Sequence, residues 1–356
     1  MLPGVWQPEF FAQPATPSFG APTPATLAAQ TALPTFAKLL GLAHITAQPG
    51  MSYHAALSAL FNWQNAPLAA LRALADGLDA RQGFWLCADP VNISHQRETL
   101  MLSDSQSVGL VAAECMALAK TLAPHFAEYG ELHSPHPQRW YLRLHQSTQA
   151  QFHAPETAAG RNLLNWLPQG NSDVANQEAR VWRRILTESQ TLLHDHPVNS
   201  VREQRGQLLA NSVWFWGPGQ LDAANHPIST LPTPTHVLTD EPLAQGFALG
   251  SQRTLLPIDS ALPAHTNSVL VSTLAQRAAQ QLDIGDWQTA LLKLEQTVFA
   301  PALHALKQGD IKRLVIMLPG EHGSLQCQIE RADLWKFWRR PMTLATLAKR
   351  FAPTQS

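Results

Sequence analysis

The sequence predicts an α/β protein in which a mixed, mostly parallel sheet is layered by helices. Segments with the apolar spacing of helices alternate with short apolar segments typical of strands along most of the 356 residues. Such alternation is the pattern of a sheet covered by helices. We expect a Pro-rich extended arm over residues 1–24 and a single α/β domain over 25–356, in which the polar loop 145–172 is the one candidate boundary.

Helices are predicted where apolar residues recur every three or four positions and a capping residue or a glycine marks an end. Their ranges are 23–40, 52–60, 67–74, 105–129, 173–194, 286–307, 334–340 and 344–351, with a short basic helix after Pro197. We expect Asp286 to cap the helix that it begins and Pro301 to kink it.

Strands are predicted where short runs of apolar and β-branched residues are bounded by turn residues. Their ranges are 84–88, 99–102, 139–144, 212–216, 236–239, 268–272, 313–318 and 325–329. A turn at Asp89 and Pro90 is expected to follow the first strand. The last two strands are close enough in sequence to form a hairpin.

Composition and charge exclude several classes of protein. A net charge of −1 with only 14% charged residues provides no basic surface for nucleic acid, and it permits a homo-oligomer. Three cysteines without a CxxC pair argue against a disulfide scaffold and a thiolate zinc site. No apolar run approaches the ~20 residues of a membrane-spanning helix, and the N-terminus lacks the features of a secretory signal. We therefore predict a cytoplasmic location and no membrane partner.

The strongest candidate for a ligand site lies between residues 194 and 219, around the end of a predicted buried strand, where open α/β sheets bind ligands. Its candidate residues are His194, His196, Asn199, Arg202, Asn211, Trp216, Gly217 and Gly219. A helix C-terminus at His194 to His196 would favour protonated imidazoles, and Asn199 is expected to cap the next helix. The two glycines predict a turn that lets a ligand approach main-chain amides. The alternative is that these residues are purely structural. His and Asn would cap helices, Arg would bond loops together, and Trp would fill a core.

A second feature is the sequence Trp335-Lys336-Phe337-Trp338-Arg339-Arg340, which combines aromatic and basic side chains. We expect its tryptophans to dock the C-terminal region with cation–π support. The alternative is an exposed interaction surface, because aromatic and arginine side chains dominate binding energy at protein interfaces.

Four blocks of sequence resemble the RpfE-type bacterial regulatory proteins, a family often labelled phosphoglycerate mutase. The blocks span residues 85–92, 136–143, 194–199 and 211–219, and the resemblance extends over roughly residues 30 to 340. It implies a phosphoglycerate-mutase-like protein with a regulatory role.

The block from His196 to Gly219 also resembles, more distantly, the archaeal-type cofactor-independent phosphoglycerate mutases of the alkaline-phosphatase superfamily. That resemblance implies a reduced alkaline-phosphatase-like fold. Those enzymes have an Arg just before the GxG turn, where this chain has Trp216. They use two divalent ions held by Asp and His, together with a Ser or Thr nucleophile near the N-terminus. Here no Asp precedes Asp76, so the N-terminal metal motif is missing.

One element similar to the superfamily's Asp-His-Gly ligand turn remains, in Gly320-Glu321-His322-Gly323. Glu321 could supply an oxygen ligand and His322 a nitrogen ligand. Two residues do not make a two-metal site, so we expect a polar hairpin turn and no metal at this position.

Three hypotheses for the function follow. The first is a non-catalytic or catalytically degenerate phosphoglycerate-mutase-like protein that binds or regulates, with no cofactor and with a small phosphorylated metabolite or a protein as its partner. The second is a metal-dependent phosphomutase or phosphatase that uses Mn²⁺ or Mg²⁺ in a remodelled site around His196, Glu321 and His322. The third is a protein–protein adaptor with an exposed aromatic patch near Trp335 and Trp338.

Overall fold

A computed structural model describes residues 1–11, 28, 31–96, 99–158, 161–221 and 233–351. The chain divides into two compact units. Unit 1 comprises Met1–Asn62 and Ile228–Ser356, and unit 2 comprises Trp63–Pro227. The loop 145–172 lies inside unit 2. The single domain with an N-terminal arm stays a prediction.

The elements are numbered in chain order. The helices are α1 (Pro34–Leu42), α2 (Tyr53–Leu60), α3 (Leu68–Ala75), α4 (Ser105–Val108), α5 (Ala112–Phe126), α6 (Pro155–Ala158), α7 (Asp173–His194), α8 (Pro197–Gln204), α9 (Pro242–Gly250), α10 (Gln276–Gln280), α11 (Ile284–Leu294), α12 (Ala300–Gln308) and α13 (Leu344–Phe351). The strands are β1 (His44–Gln48), β2 (Phe84–Gln96), β3 (Thr99–Ser103), β4 (Gly130–His136), β5 (Arg139–Leu144), β6 (Ser212–Gly219), β7 (His236–Thr239), β8 (Thr254–Leu256), β9 (Ser268–Val271), β10 (Arg313–Leu318) and β11 (Ser324–Glu330).

Unit 2 contains a five-stranded sheet in which β2 pairs with β3, β5 and β6, and β5 also pairs with β4. Every one of these pairings is antiparallel. The α/β class is correct, but the prediction of a mostly parallel sheet is wrong. Only two residues separate β2 from β3 and β4 from β5, and a parallel crossover requires a dozen or more.

Strand β2 continues through Asp89 and Pro90, so the predicted turn at these residues is wrong. Pro90 pairs with Val213 of β6. It lies between the residues of β2 that pair with β5 (84–87) and those that pair with β3 (92–96). Pro90 therefore pairs with β6 alone, between the parts of β2 that pair with β5 and with β3.

The helices of unit 2 follow their apolar periodicity. The prediction of a helix over 173–194 is confirmed by α7, whose N-cap Ser172 accepts a hydrogen bond from the Ala175 N–H at 3.2 Å. The predicted helix 105–129 is instead two helices, α4 and α5, because Gly109 ends α4 in the left-handed conformation. The helix faces and the sheet share one core, whose large side chains include Trp85, Trp140 and Trp214.

Unit 1 contains two three-stranded sheets. In one, β11 pairs antiparallel with β1 and β10, which confirms the predicted hairpin of residues 313–318 and 325–329. In the other, β7 pairs parallel with β8 and β9. These two are the parallel ladders among the described residues.

The predicted helix 286–307 of unit 1 begins earlier than expected. Asp283, not Asp286, is its N-cap and accepts a hydrogen bond from the Asp286 N–H at 2.9 Å. A π-helical turn over Glu295–Phe299 separates α11 from α12. Pro301 follows this π turn directly, inside a continuous helical stretch. Its missing N–H removes one helical bond, and the departure from α geometry lies just before it.

The N-terminal residues pack into unit 1. Met1, Leu2, Val5, Trp6 and Phe10 are buried, and the main-chain oxygen of Gly4 accepts a hydrogen bond from the Trp287 indole at 2.8 Å. The predicted helix start at Thr23 and Pro24 lies outside the described residues.

The C-terminal region differs from its prediction. The predicted helix over 334–340 is wrong: a 3₁₀ turn over Arg331–Trp335 leads into a turn without helix, and the Trp335 and Trp338 rings are exposed rather than docked.

Among the helices in the described ranges, none has the length and hydropathy to cross a membrane.

Candidate functional site

The first predicted site residues lie where α7 gives way to α8 in unit 2. His194 is in the last turn of α7 with its side chain exposed. His196 is the N-cap of α8, and its Nδ1 accepts a hydrogen bond from the Val198 N–H at 3.2 Å. The prediction that Asn199 caps this helix is wrong, because Pro197 occupies the first helical position and places the cap one residue before it.

Partial burial lowers the pKa of the His196 imidazole. This shift favours the neutral ring, whereas the sequence predicted a protonated one. Its Nε2 lies 3.1 Å from the Thr121 hydroxyl of α5. The ring lies between two helix ends. The negative end of α7 would favour a positive charge on the ring, whereas the positive N-terminal end of α8, which the ring caps, opposes one.

Asn199 joins α8 to the loop that precedes β6. Its side-chain amide donates to the main-chain oxygens of Leu193 (2.8 Å) and Ala210 (3.0 Å), and its side-chain oxygen accepts from the Ala210 N–H at 3.0 Å. The side chain is fully buried. These bonds satisfy three main-chain groups that would otherwise be buried without partners.

Arg202 makes a second connection from the same helix. Its Nε donates to the Leu208 oxygen at 2.8 Å, one Nη donates to the Glu114 carboxylate at 2.7 Å, and the other donates to the Val108 oxygen. The guanidinium is buried. It therefore ties α8 to α5, to the end of α4 and to the loop before β6.

Asn211 fixes the start of β6 against β2. Its side-chain oxygen accepts from the Ile93 N–H at 2.8 Å, and its amide donates to the Ile93 oxygen at 2.9 Å. Together, Asn199, Arg202 and Asn211 determine where β6 joins the sheet. Ligand binding by these three residues stays a prediction.

Gly217 and Gly219 lie within β6 rather than in a turn after it. Two residues of β6, Gly217 and Pro218, lie opposite Leu86 of β2, which makes a β-bulge. Gly217 has a φ of +62°, and a Cβ there would lie 3.0 Å from the Leu68 Cβ. At Gly219 a Cβ would lie 2.6 Å from the Pro67 Cβ. Both glycines are therefore required by close packing of the bulge against the start of α3.

Trp216 leads from this segment to a buried polar cluster. Its indole N–H donates to Asp89 Oδ2 at 2.8 Å. The other oxygen of Asp89 accepts a hydrogen bond from the main-chain N–H of Trp140 at 3.0 Å. Asp89 thus accepts bonds from β5 and β6 at the position next to Pro90 in β2.

Arg72 of α3 neutralises Asp89. Its two Nη atoms donate to the two carboxylate oxygens at 2.8 and 2.6 Å, with the Arg72 and Asp89 side chains only 8% and 3% exposed. The guanidinium carbon lies 4.8 Å from the ring centres of both Tyr141 and Trp216. Burial alone would lower the pKa of Arg72, but the charge of Asp89 outweighs it and the pKa rises. The two charges of this pair are thus committed to each other.

A second ion pair adjoins the first. Arg139 donates to both oxygens of Asp76, at 2.9 Å through Nε and 2.7 Å through Nη2, and the Tyr141 hydroxyl donates to the same carboxylate at 2.6 Å. Burial alone would raise the pKa of Asp76, but these hydrogen bonds and the Arg139 charge lower it below 3.8. Tyr141, by contrast, has its pKa raised, first by burial.

This cluster was not predicted from the sequence. Asp89 was assigned to a turn, and Arg72 and Asp76 to a short helix and its end. One signal was present: Arg72 interrupts an otherwise apolar helix and Asp89 an otherwise apolar strand. Charged residues are almost never buried unless paired, so two such interruptions in neighbouring elements indicate an ion pair.

The candidate metal residues lie in unit 1. Glu321 and His322 are exposed in the turn between β10 and β11, as expected for a polar hairpin turn. His196 belongs to unit 2. Across the described residues, no three His, Cys, Asp or Glu side chains are close enough to hold a metal ion. These residues therefore do not fit the two-metal centre that the resemblance implies, and the absence of a cofactor stays a prediction.

Comparison with known proteins confirms the more distant resemblance for part of the chain. Residues 69–199, within unit 2, match the model of the 2,3-bisphosphoglycerate-independent phosphoglycerate mutase family. A probable 2,3-bisphosphoglycerate-independent phosphoglycerate mutase of Geobacter sulfurreducens is 26% identical over 135 residues, which are 36% of this chain and 32% of that protein. The match thus spans about a third of the relative's length.

Two solved structures are similar to this chain at low TM-scores and low sequence identity. A cofactor-independent phosphoglycerate mutase from Thermoplasma acidophilum has a TM-score of 0.40 and 14% identity, covering 90% of this chain and 88% of that one. A Pyrococcus horikoshii protein has a TM-score of 0.48 and 13% identity, covering 85% and 81%. The chain is a mixed α/β protein of two units. One of them, unit 2, contains the segment 69–199 that matches the 2,3-bisphosphoglycerate-independent phosphoglycerate mutase family.

Proposed function

We propose that this chain is a phosphoglycerate-mutase-like protein of the RpfE type, and that it binds or regulates rather than catalysing phosphoryl transfer. The observation that carries the proposal is how side chains are bonded within the block 196–219, which resembles the mutases. Its buried polar side chains, Asn199, Arg202 and Asn211, bond to main-chain groups or to Glu114 of the protein itself. Groups committed in this way support a fold and are not available to a reacting phosphate.

The proposed ligand is a small phosphorylated metabolite, as the resemblance suggests. Within the segment from 194 to 219, His194 is exposed, whereas both ring nitrogens of the partly exposed His196 already have partners in Val198 and Thr121. The His194 imidazole is therefore the group that would meet the ligand, and the His196 ring would border it. The other members would support the site without contacting the ligand: Asn199, Arg202, Asn211, Trp216, Gly217 and Gly219. A cytoplasmic location and the absence of a nucleic-acid partner complete the proposal, and the low charge supports the second of these.

Two measurements on the full chain test this proposal. The first is interconversion of 2- and 3-phosphoglycerate with Mn²⁺ or Mg²⁺ present, for which we expect no turnover. The second is the shift in unfolding temperature caused by a panel of phosphorylated metabolites. At least one should stabilise the protein, and the shift should be lost in His194→Ala/His196→Ala but kept in Ser200→Ala, a matched change at an exposed position of α8.

The rival enzyme hypothesis has its own signature. Stoichiometric Mn²⁺ or Mg²⁺ in the purified protein, with turnover that disappears in Glu321→Gln or His322→Ala, would replace our proposal by a metal-dependent phosphomutase. No ligand-dependent shift together with no turnover would also contradict the proposed binding role.

The adaptor hypothesis is favoured by one separate observation. Trp335, Phe337 and Trp338 are 81%, 91% and 66% exposed. Monomeric proteins rarely leave adjacent large apolar side chains in water, and such patches are typical of interaction sites.

A further inference from the structure

The most unusual surface of unit 1 is the aromatic–basic segment, defined here as residues 335–340. Among the described residues, the exposed Trp and Phe side chains all lie in it. The same six positions hold Lys336, Arg339 and Arg340. Three aromatic rings and three cations thus share one short exposed turn.

This turn is held in a defined conformation. Asp333 accepts hydrogen bonds from the Glu330 N–H at 2.8 Å and from the Lys336 ammonium at 2.6 Å. Main-chain bonds follow from Lys336 to Asp333 (3.0 Å), from Phe337 to Trp335 (2.9 Å) and from Arg339 to Lys336 (3.0 Å). The Phe337 and Trp338 rings meet edge to face, with centres 5.2 Å apart.

Both ends of the segment are attached to unit 1. Before it, Leu334 packs against the apolar core of the unit. After it, the Met342 N–H donates to the Ala37 oxygen of α1 at 2.8 Å. Because the turn is fixed at both ends and internally bonded, its rings are displayed with little conformational entropy left to lose on binding.

The charges indicate what kind of surface fits. Arg339 and Arg340 are exposed, and Asp333 is already paired with Lys336. A second copy related by a twofold axis would bring like charges together, because both copies present the same patch. Attachment to anionic lipid by charge typically uses about four to eight basic residues in a cluster, more than the three present. Tryptophan and arginine are instead the residues that dominate protein interfaces.

We propose that the aromatic–basic segment docks an amphipathic helix of a partner protein whose apolar face is bordered by carboxylates. The rings would pack against the apolar face, and the two exposed arginines would pair with its acidic border. The proposal is independent of the ligand site in unit 2, so either can fail without the other.

The test uses the full chain and two fluorescently labelled amphipathic helical peptides. The peptides share their apolar positions, and one carries Glu and the other Lys at the flanking positions. We expect the Glu peptide to bind at least about tenfold more tightly than the Lys peptide, and less tightly as salt rises. Phe337→Ala/Trp338→Ala should weaken that binding about tenfold or more. Arg339→Glu/Arg340→Glu should reverse the preference between the peptides.

Met116→Ala is the control, because Met116 is a comparably exposed apolar side chain on α5, and it should leave binding unchanged. All variants should unfold at the wild-type temperature, since the replaced side chains are exposed. Equal binding of the two peptides, no binding of either, or binding insensitive to the variants would overturn the proposal. So would preferential binding to phosphatidylserine vesicles, or a dimer in light scattering that disappears in Phe337→Ala/Trp338→Ala.

Discussion

The Arg72 guanidinium donates two hydrogen bonds to the Asp89 carboxylate, at 2.8 and 2.6 Å, in the interior of unit 2. The pair joins α3 to β2, and Trp140 and Trp216 add bonds from β5 and β6. Four elements therefore meet at one carboxylate. These four bonds explain how a central strand can contain a buried aspartate.

Replacement of Asp89 by Ala should lower the free energy of unfolding by about 3–5 kcal/mol, because it leaves the Arg72 charge buried without a partner. Urea unfolding measures the change. The double variant Arg72→Leu/Asp89→Leu should lose less than the sum of the single variants, since both charges leave together. A loss below about 1 kcal/mol for Asp89→Ala would show that the pair contributes little.

Asp76 should make stability depend on acid pH. Its folded pKa lies below the 3.8 of the unfolded chain, so the carboxylate supplies stability above about pH 4 that is lost as the pH falls through the lower folded pKa. The measurement is the difference in unfolding free energy between wild type and Asp76→Asn from pH 7 to 2, which should shrink below about pH 4. Asp79→Asn, at an exposed position nearby, is the matched control and should change the free energy of unfolding at pH 7 by less than about 0.5 kcal/mol. A difference for Asp76→Asn that stays constant down to pH 2 would contradict the assignment.

Replacement of Asn199 by Ala should destabilise the protein by about 3 kcal/mol, because three main-chain groups lose their partners in a buried place. Ser200→Ala, at the next and exposed position, should change stability by less than about 0.5 kcal/mol. Chemical denaturation of both variants checks this. If the two behaved alike, Asn199 would not have the tethering role assigned to it.

Substitution of Gly217 and of Gly206 by Ala distinguishes two energetic costs of an added methyl group: backbone strain at positive φ, and steric overlap with neighbouring atoms. Both have positive φ, +62° and +66°, but a Cβ at Gly217 would meet Leu68 at 3.0 Å, whereas none of the described atoms lies within 4 Å at Gly206. Gly206→Ala should therefore cost about 1 kcal/mol from backbone conformation alone. Gly217→Ala should cost about 1–2 kcal/mol more, because the bulge packs against α3. Equal unfolding free energies for the two variants would argue against close packing at the bulge.

The three cysteine thiols should be unreactive in the folded protein. Cys87, Cys115 and Cys327 are buried and free, and burial raises the pKa of each, that of Cys327 to about 12. The thiolate is the reactive form, so a disulfide reagent at pH 8 should titrate no thiol rapidly before denaturant is added and all three afterwards. A thiol that reacts in the folded protein at the rate of free cysteine would contradict this.

Local patterns in the sequence predicted what local interactions determine. The apolar periodicity of residues 173–194 and the short link between 318 and 324 were sufficient for α7 and for the β10–β11 hairpin. Strand β4 was not predicted, because its polar sequence His133-Ser134-Pro135-His136 has little strand character. Its pairing with β5 overrides that weak propensity.

By itself, the sequence determined the α/β class, the longest helix, the terminal hairpin and a partial resemblance to a mutase family, because these depend on residue order over short distances. The tertiary structure alone decided that the unit 2 sheet is antiparallel, that Arg72 and Asp89 form a pair, and that the rings of residues 335–338 face water. These features depend on which distant residues become neighbours, and a buried charge or an exposed ring is defined only by its surroundings.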